Sequence, residues 1–202
     1  AFTVAEGARC LETPIYAVRF DENGYIASLF DKRAGREVRR VGGAPLGTLY
    51  LGEDVPADWD NWDIDSDMEA KMRPVTRLLS RETVSDGAVE MRIRAKYALG
   101  ERSAVTVDTV FYAEDPRVDF HLLVDWQEKH ALLKVGFDVD ISASMAKHEI
   151  QFGHIERPVT RNNSWEAAKF EVCNHEWTDL SESRYGVALL NDCKYGISVR
   201  DS

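Results

Sequence analysis

An all-β fold, an antiparallel sandwich with little helix, is what this chain of 202 residues predicts. Three observations point there. Apolar and polar side chains alternate with period two through most of residues 75–141, as strands with one buried and one wet face require. Turn signals separate these runs at short intervals, which favours antiparallel neighbours over βαβ crossovers. Helical periodicity is scarce.

Taken in order, the first unit is YAVRFDENGYIASLFDKRAGREV, Tyr16 to Val38. Two short apolar runs flank DENG, where Asn23 and Gly24 tolerate the positive φ of a tight hairpin turn. A second turn, KRAGRE, closes the next strand at Gly35. Residues 41–66 then lose all periodicity and fill with Gly, Pro, Trp and Asp, so that 41–74 reads as a long irregular excursion within a single domain spanning 1–202. Beyond it, Val89, Met91, Ile93, Ala95 and Tyr97 alternate with polar residues, as do Val105, Val107, Thr109 and Phe111. Phe120, Leu122, Val124 and Trp126 form the next apolar set, and Val135, Phe137, Val139 and Ile141 the one after. SDG, LGE and EDP mark turns among these strands. Ser144–His148 and Ser164–Phe170 are the two short helical candidates, the latter with Ser164 as N-cap. RYGVALLNDCKYGISVRDS reads as a closing hairpin that turns at Asn191–Asp192. The chain starts without Met and in the middle of a pattern, so a slice of a longer protein is expected.

The formal net charge of −10 opposes binding to phosphate backbones and anionic membranes, so neither nucleic acid nor membrane is an expected partner. With 44% apolar residues, a sizeable core needs no staple. Cys10, Cys173 and Cys193 make an odd count with no CxxC pair. Buried free thiols in a reducing compartment are the simpler account, and a cytoplasmic location is expected. No segment is long and apolar enough to span a bilayer, and no signal peptide opens the chain.

WDNWDIDSD gathers Asp60, Asp63, Asp65 and Asp67 around Trp59 and Trp62. An EF-hand-type calcium loop would need Gly and Glu where Met68 and Pro74 stand, so that match fails. Two accounts stay open. Indole faces could stack on a pyranose while carboxylates accept from its hydroxyls. Alternatively, this is an acidic surface loop anchored by two buried tryptophans, and since charge runs are usually solvated, spacing alone favours that account. FGHIERPVTRNNSW collects His154, Glu156, Arg157, Arg161, Asn162, Asn163 and Trp165. Its forks and amides suit sugar hydroxyls or carboxylates, and suit equally well the tying of loops to backbone carbonyls. His175, Trp177 and Asp179 share another strand face. No HExxH, CxxC, GxSxG or phosphate-loop pattern is present, so no metal ligand and no catalytic residue is expected in this chain.

At these residues the sequence resembles a known family. FGHIERPVTRNNSWEAAKFEVCNHEWTDLSESRYGVALLNDCKYG is similar to the β-sandwich portion of the class II α-mannosidases, glycoside hydrolase family 38. The match runs through Arg157–Pro158, Asn162, Trp165, Phe170 to Val172, His175, Trp177, Asp179 to Glu182 and Tyr185 to Gly196. It departs at Asn163, where the family often has Thr. GYIASLFDK with GRE, and WDNWDID with Asn61 in place of Ala, resemble two upstream family segments. The resemblance implies a supersandwich of galactose-mutarotase-like kind, from the middle-to-late part of a retaining enzyme that removes terminal α-linked mannose. The nucleophile, the acid/base and the zinc would belong to an amino-terminal barrel, the expected partner, and not to this chain. It further implies that Trp59, Asp60, Trp62, Asp63 and Asp65 reach toward an α-mannoside. His154, Arg157, Arg161, Asn162, Trp165, His175, Trp177 and Asp179 would support the pocket or the barrel interface. An autonomous carbohydrate-binding module is the alternative, and homo-oligomerisation stays open.

Overall fold

The computed structural model describes residues 2–5, 9–60 and 62–200. The chain divides into two compact units, Ala1–Asp140 and Ile141–Ser202. Its architecture is all-β and antiparallel, as expected.

In the first unit, β1 (Thr3–Ala5), β2 (Cys10–Glu12), β3 (Tyr16–Phe20), β4 (Ile26–Asp31) and β5 (Arg36–Glu37) form one sheet in sequence order. Its turns follow the expected chemistry. The Asp21 carboxylate accepts from the Tyr25 amide at 2.8 Å, and Gly24 sits at φ +85°, which only glycine adopts freely. Asp31 accepts from the amides of Arg33 and Ala34, folding the chain back from β4 to β5.

Inside the stretch read as irregular, β6 (Thr48–Glu53) is a strand. It is followed by helix α1 (Met68–Lys71) and by β7 (Arg73–Pro74), which pairs with β6. Six residues between Gly and Pro clusters are too few for a period to show, and β6 exists through its partners. Then β8 (Leu78–Asp86), β9 (Glu90–Leu99), β10 (Ser103–Tyr112) and β11 (Val118–Asp125) form a meander whose turns fall at SDG, LGE and EDP. β12 (Ala131–Gly136) pairs with the other edge of β6.

The core of this unit is the inner face of β9 and β10. Tyr97, Leu99, Val105 and Val107 pack with Leu49 of β6 and with Val75 and Tyr25 from outside the strands. Tyr25 and Tyr97 stack at 5.1 Å, and the Tyr25 hydroxyl donates to the Val75 carbonyl, so its polar end is satisfied inside the core. Burial pushes both phenols far up from their ordinary pKa. Phe20 meets Phe111 edge-on, and the Arg81 guanidinium lies 4.1 Å from the Phe20 ring centre. The expected apolar face of β11 is only partly covered. Phe120 packs against the core, while Leu122 and Val124 stay exposed on β11, an edge strand of its sheet.

In the second unit, β13 (Met145–Ile150) pairs with β14 (Gly153–Pro158). Helix α2 (Ser164–Ala167) and the short β15 (Val172–Cys173) follow. β16 (Trp177–Ser181) and β17 (Gly186–Leu190) complete a sheet in the order β14-β13-β16-β17, and β18 (Gly196–Ile197) pairs with β15.

Three expectations are corrected here. Ser144–His148 is not helical: Ala146 and His148 are buried while Met145 and Lys147 are exposed, a strand alternation imposed by two flanking partners. The cap of α2 is Asn163, whose side chain accepts from the Glu166 amide at 3.0 Å, and not Ser164. The end of the chain is no hairpin. At Asn191 the amide side chain donates to the His175 carbonyl at 2.6 Å, and β18 joins β15, not β17.

Candidate functional site

The acidic tryptophan loop leaves β6 at Glu53 and is fastened at its base. Asp65 accepts from the Ala57 amide at 3.0 Å, joining the two limbs, and its carbonyl accepts from Met68. Met68 is buried and anchors α1, while Lys71 lies 3.0 Å from Asp67 and 3.6 Å from Glu53. The two carboxylates, Asp67 foremost, raise the Lys71 pKa. Beside the loop, the Asp54 amide donates to the His130 carbonyl at 2.8 Å.

The tip is exposed. Trp59 retains 75% and Trp62 91% of its accessible surface, so neither tryptophan anchors the loop. Trp59 adopts φ +58°, uncommon for a bulky residue, and its carbonyl accepts from the amides of both Trp62 and Asp63. Asp60 lies 3.6 Å from Nδ1 of His130, itself at φ +50°. The Asp63 carboxylate accepts from the adjacent Ile64 amide, at 2.9 Å. A compact turn therefore presents two indoles with Asp60 and Asp63 beside them, while Asp65 builds the turn from within. Asn61, where the sequence departs from the family motif, lies outside the described residues. Sequence reasoning missed Met68, Lys71 and His130. Only Lys71, four residues after Asp67, carries a local signal.

In the second unit, the ladder registers place His154 opposite Glu149 and Lys147 opposite Asp179. The His154 and Trp177 rings are 6.1 Å apart, so two of the expected residues do meet on one sheet face, with Lys147 3.9 Å from Glu156. The Asp179 carboxylate accepts from the Ser181 hydroxyl, and His175 packs by Tyr195 at 5.3 Å. Arg161 and Asn162 tie the loop: Arg161 donates to the Phe170 carbonyl at 3.2 Å, and the Asn162 amide to Glu166 at 2.8 Å. Trp165 is exposed on α2. Glu166 collects donors from Asn162, Thr160 and Asn163, which hold its carboxyl below the usual range. The buried His148, unmarked in the sequence, faces the Thr178 hydroxyl at 3.0 Å. Burial first, and the Arg157 charge second, lower its pKa to about 4.

Among the described residues, no three His, Cys, Asp or Glu side chains converge as metal ligands, and no helix is long and apolar enough to cross a membrane. A model of the glycosyl hydrolases family 38 C-terminal domain matches residues 11–202. The chain belongs to this family. Alpha-mannosidase 2C1 of Homo sapiens is 38% identical over 198 residues, which is 98% of this chain and 19% of that protein. Alpha-mannosidase G of Dictyostelium discoideum is 38% identical over 200 residues, 96% of this chain and 18% of that one. The family 38 chain thus spans about a fifth of the curated relatives it matches. An alpha-mannosidase crystal structure from Enterococcus faecalis V583 superposes with a TM-score of 0.79 at 13% identity, over 98% of this chain and 25% of that one. That likeness concerns the fold. The family expected from three ordered segments of sequence is the family found.

Proposed function

We propose that this family 38 domain is the non-catalytic β-sandwich of a retaining α-mannosidase and works as one wall of its substrate pocket. The rest of the parent chain supplies a zinc-dependent barrel. That barrel carries the nucleophile and acid/base, two carboxyl groups about 5–5.5 Å apart in a retaining mechanism. The observation that carries the reading is the exposed indole pair on a fastened turn, in a chain 38% identical along its length to alpha-mannosidases. An aromatic face held in water suits the C–H face of a pyranose, and the nearby Asp60 and Asp63 carboxylates suit its hydroxyls as acceptors. Asp65 shapes the turn. His154, Trp177, His175 and Asp179, with the Arg157–Trp165 segment, support the barrel interface.

The test compares the purified chain with the full-length parent on an aryl α-mannoside. The parent turns over and the chain alone does not. In the parent, Trp62→Ala raises KM with little change in kcat, as loss of a binding contact requires. Turnover by the isolated chain, abolished by a chelator, would sink the proposal, and so would an Asp63→Ala and Trp62→Ala parent with unaltered kinetics. The same exposed indoles support a second reading, an autonomous carbohydrate-binding module. NMR titration of the chain with mannose separates the two: millimolar binding centred on Trp59 and Trp62 favours the module, and no shifts favour a wall that needs its barrel.

A further inference from the structure

We propose that the chain pairs with a second copy of itself along the outer edge of β11, joining two four-stranded sheets into one. The two edges of this sheet are built differently. β8 is interrupted by register shifts between Leu78 and Ser80 and again between Thr83 and Ser85, and such irregularities blunt an edge against further pairing. β11, at the opposite edge, runs along β10 in eight consecutive pairs with no shift. No proline or lysine interrupts Val118–Asp125. Apolar side chains lie exposed on both faces: Leu122 and Val124 on the side of Phe120, and Leu123, 76% exposed, on the other. A long, regular edge of this kind is a template for another strand.

The sequence of β11 is complementary to itself in reverse. Two copies related by a two-fold axis pair antiparallel, and an axis through a residue keeps paired side chains on one face. Centred on Leu123, the pairing sets Leu123 against Leu123 and His121 against Asp125 on one face, with Leu122 against Val124 on the other. Each contact is then apolar on apolar, or an imidazole donor on a carboxylate. Within its own chain His121 stands 3.9 Å from Asp119, a carboxylate that the Tyr112 hydroxyl and Arg117 already hold at 2.7 and 3.0 Å. Asp125 offers it a second acceptor across the axis. Neighbouring centres do worse. An axis through Leu122 opposes Asp119 to Asp125, and one through Val124 or His121 sets Leu123 against a carboxylate. Charge and shape together select a second copy and fix its register.

Analytical ultracentrifugation of the chain at rising concentration and salt tests the pairing. A dimer is expected, and because each copy carries a net charge of −10, sodium chloride strengthens it. Leu123→Lys sets two ammonium groups face to face at the axis and abolishes the dimer, while exchange protection on β9 stays level. His121→Asp weakens dimerisation roughly tenfold, the scale of two like-charge cross-strand pairs. Adding Asp125→His restores it, because each aspartate again faces a histidine in this register. A chain that is monomeric at every concentration and salt, a dimer indifferent to Leu123→Lys, or a double variant that fails to recover would overturn the proposal. So would a monomeric full-length parent with protected β11 amides, since a strand of the parent would then fill the edge.

Discussion

The two units bury different chemistry. In the first, Leu11, Ile26, Leu49, Met91, Tyr97, Leu99, Val105, Val110 and Phe111 are almost wholly removed from water, and the buried polar groups beside them include the bonded Tyr25 hydroxyl, the turn-capping Asp31 and Asp108, which Arg94 pairs at 2.7 Å. In the second, Ala146 and Val159 are the buried apolar residues, and they share the interior with His148, Asn174 and Thr178. Apolar burial stabilises in proportion to area and is indifferent to pH. A polar interior stabilises only while every partner is in place and in the right protonation state. The first unit rests mainly on apolar burial, whereas the second buries few apolar side chains beside the His148–Thr178 pair, whose state depends on pH.

The largest expected effect breaks the comparison on its apolar side. Tyr97→Ala removes a stacked, fully enclosed ring and should cost about 3–5 kcal/mol, the range for an aromatic-to-alanine truncation in a core. Hydrogen exchange resolves the units separately: the β9 and β10 amides should lose protection. If they keep it, Tyr97 is not the keystone its burial implies.

Next comes the polar side. The folded-state pKa of His148, about 4, lies below the ordinary value of 6.5, so the unfolded chain binds the proton more readily. Stability is then full above about pH 6.5 and falls as pH drops toward 4. The linkage is up to about 3 kcal/mol from this group alone. Exchange protection on β13 and β16 should fall across that window while β9 and β10 stay level, and His148→Gln should flatten the slope. An equal slope in both units would place the titration elsewhere.

The same contrast explains what the sequence could tell. The β8-to-β11 meander was legible because its turns are local: SDG, LGE and EDP each fold on their own residues, and burial on β9 falls on every second position. β6 and the β15–β18 pair were not, since each is made a strand by a partner far along the chain, and β13, read as a short helix, shows its alternation only between its two partners β14 and β16. Site residues divide in the same way. Trp59 and Trp62 were found by composition, but whether an indole points inward or outward depends on the Asp65–Ala57 closure, which no spacing announces. His130 and His148 carry no motif at all, and only folding gives them neighbours.

A smaller effect tests whether the loop before α2 is held by its polar ties. Asn163→Ala removes the cap on Glu166, and a lost N-cap costs about 1 kcal/mol. With no buried residue on α2, polar ties alone hold it, and the Thr160 and Asn162 bonds to Glu166 remain, so the exchange of the Glu166 and Ala167 amides should rise while the β13–β14 ladder stays protected. Spread of the loss into that ladder would mean that the loop and the sheet unfold together.

The smallest effect on stability is expected at the residue given the largest role in binding. Trp62 is 91% exposed, so Trp62→Ala should change the unfolding free energy by less than about 0.5 kcal/mol. Asp65→Ala is the matched control. It removes the carboxylate that ties the loop limbs, so it should loosen the turn and shift the Trp59 and Trp62 indole signals together. A residue kept for packing loses stability when cut, whereas one kept for a ligand loses only the ligand. If Trp62→Ala destabilises as much as Asp65→Ala, the indole is packed in solution, and the pocket-wall reading loses the contact it rests on.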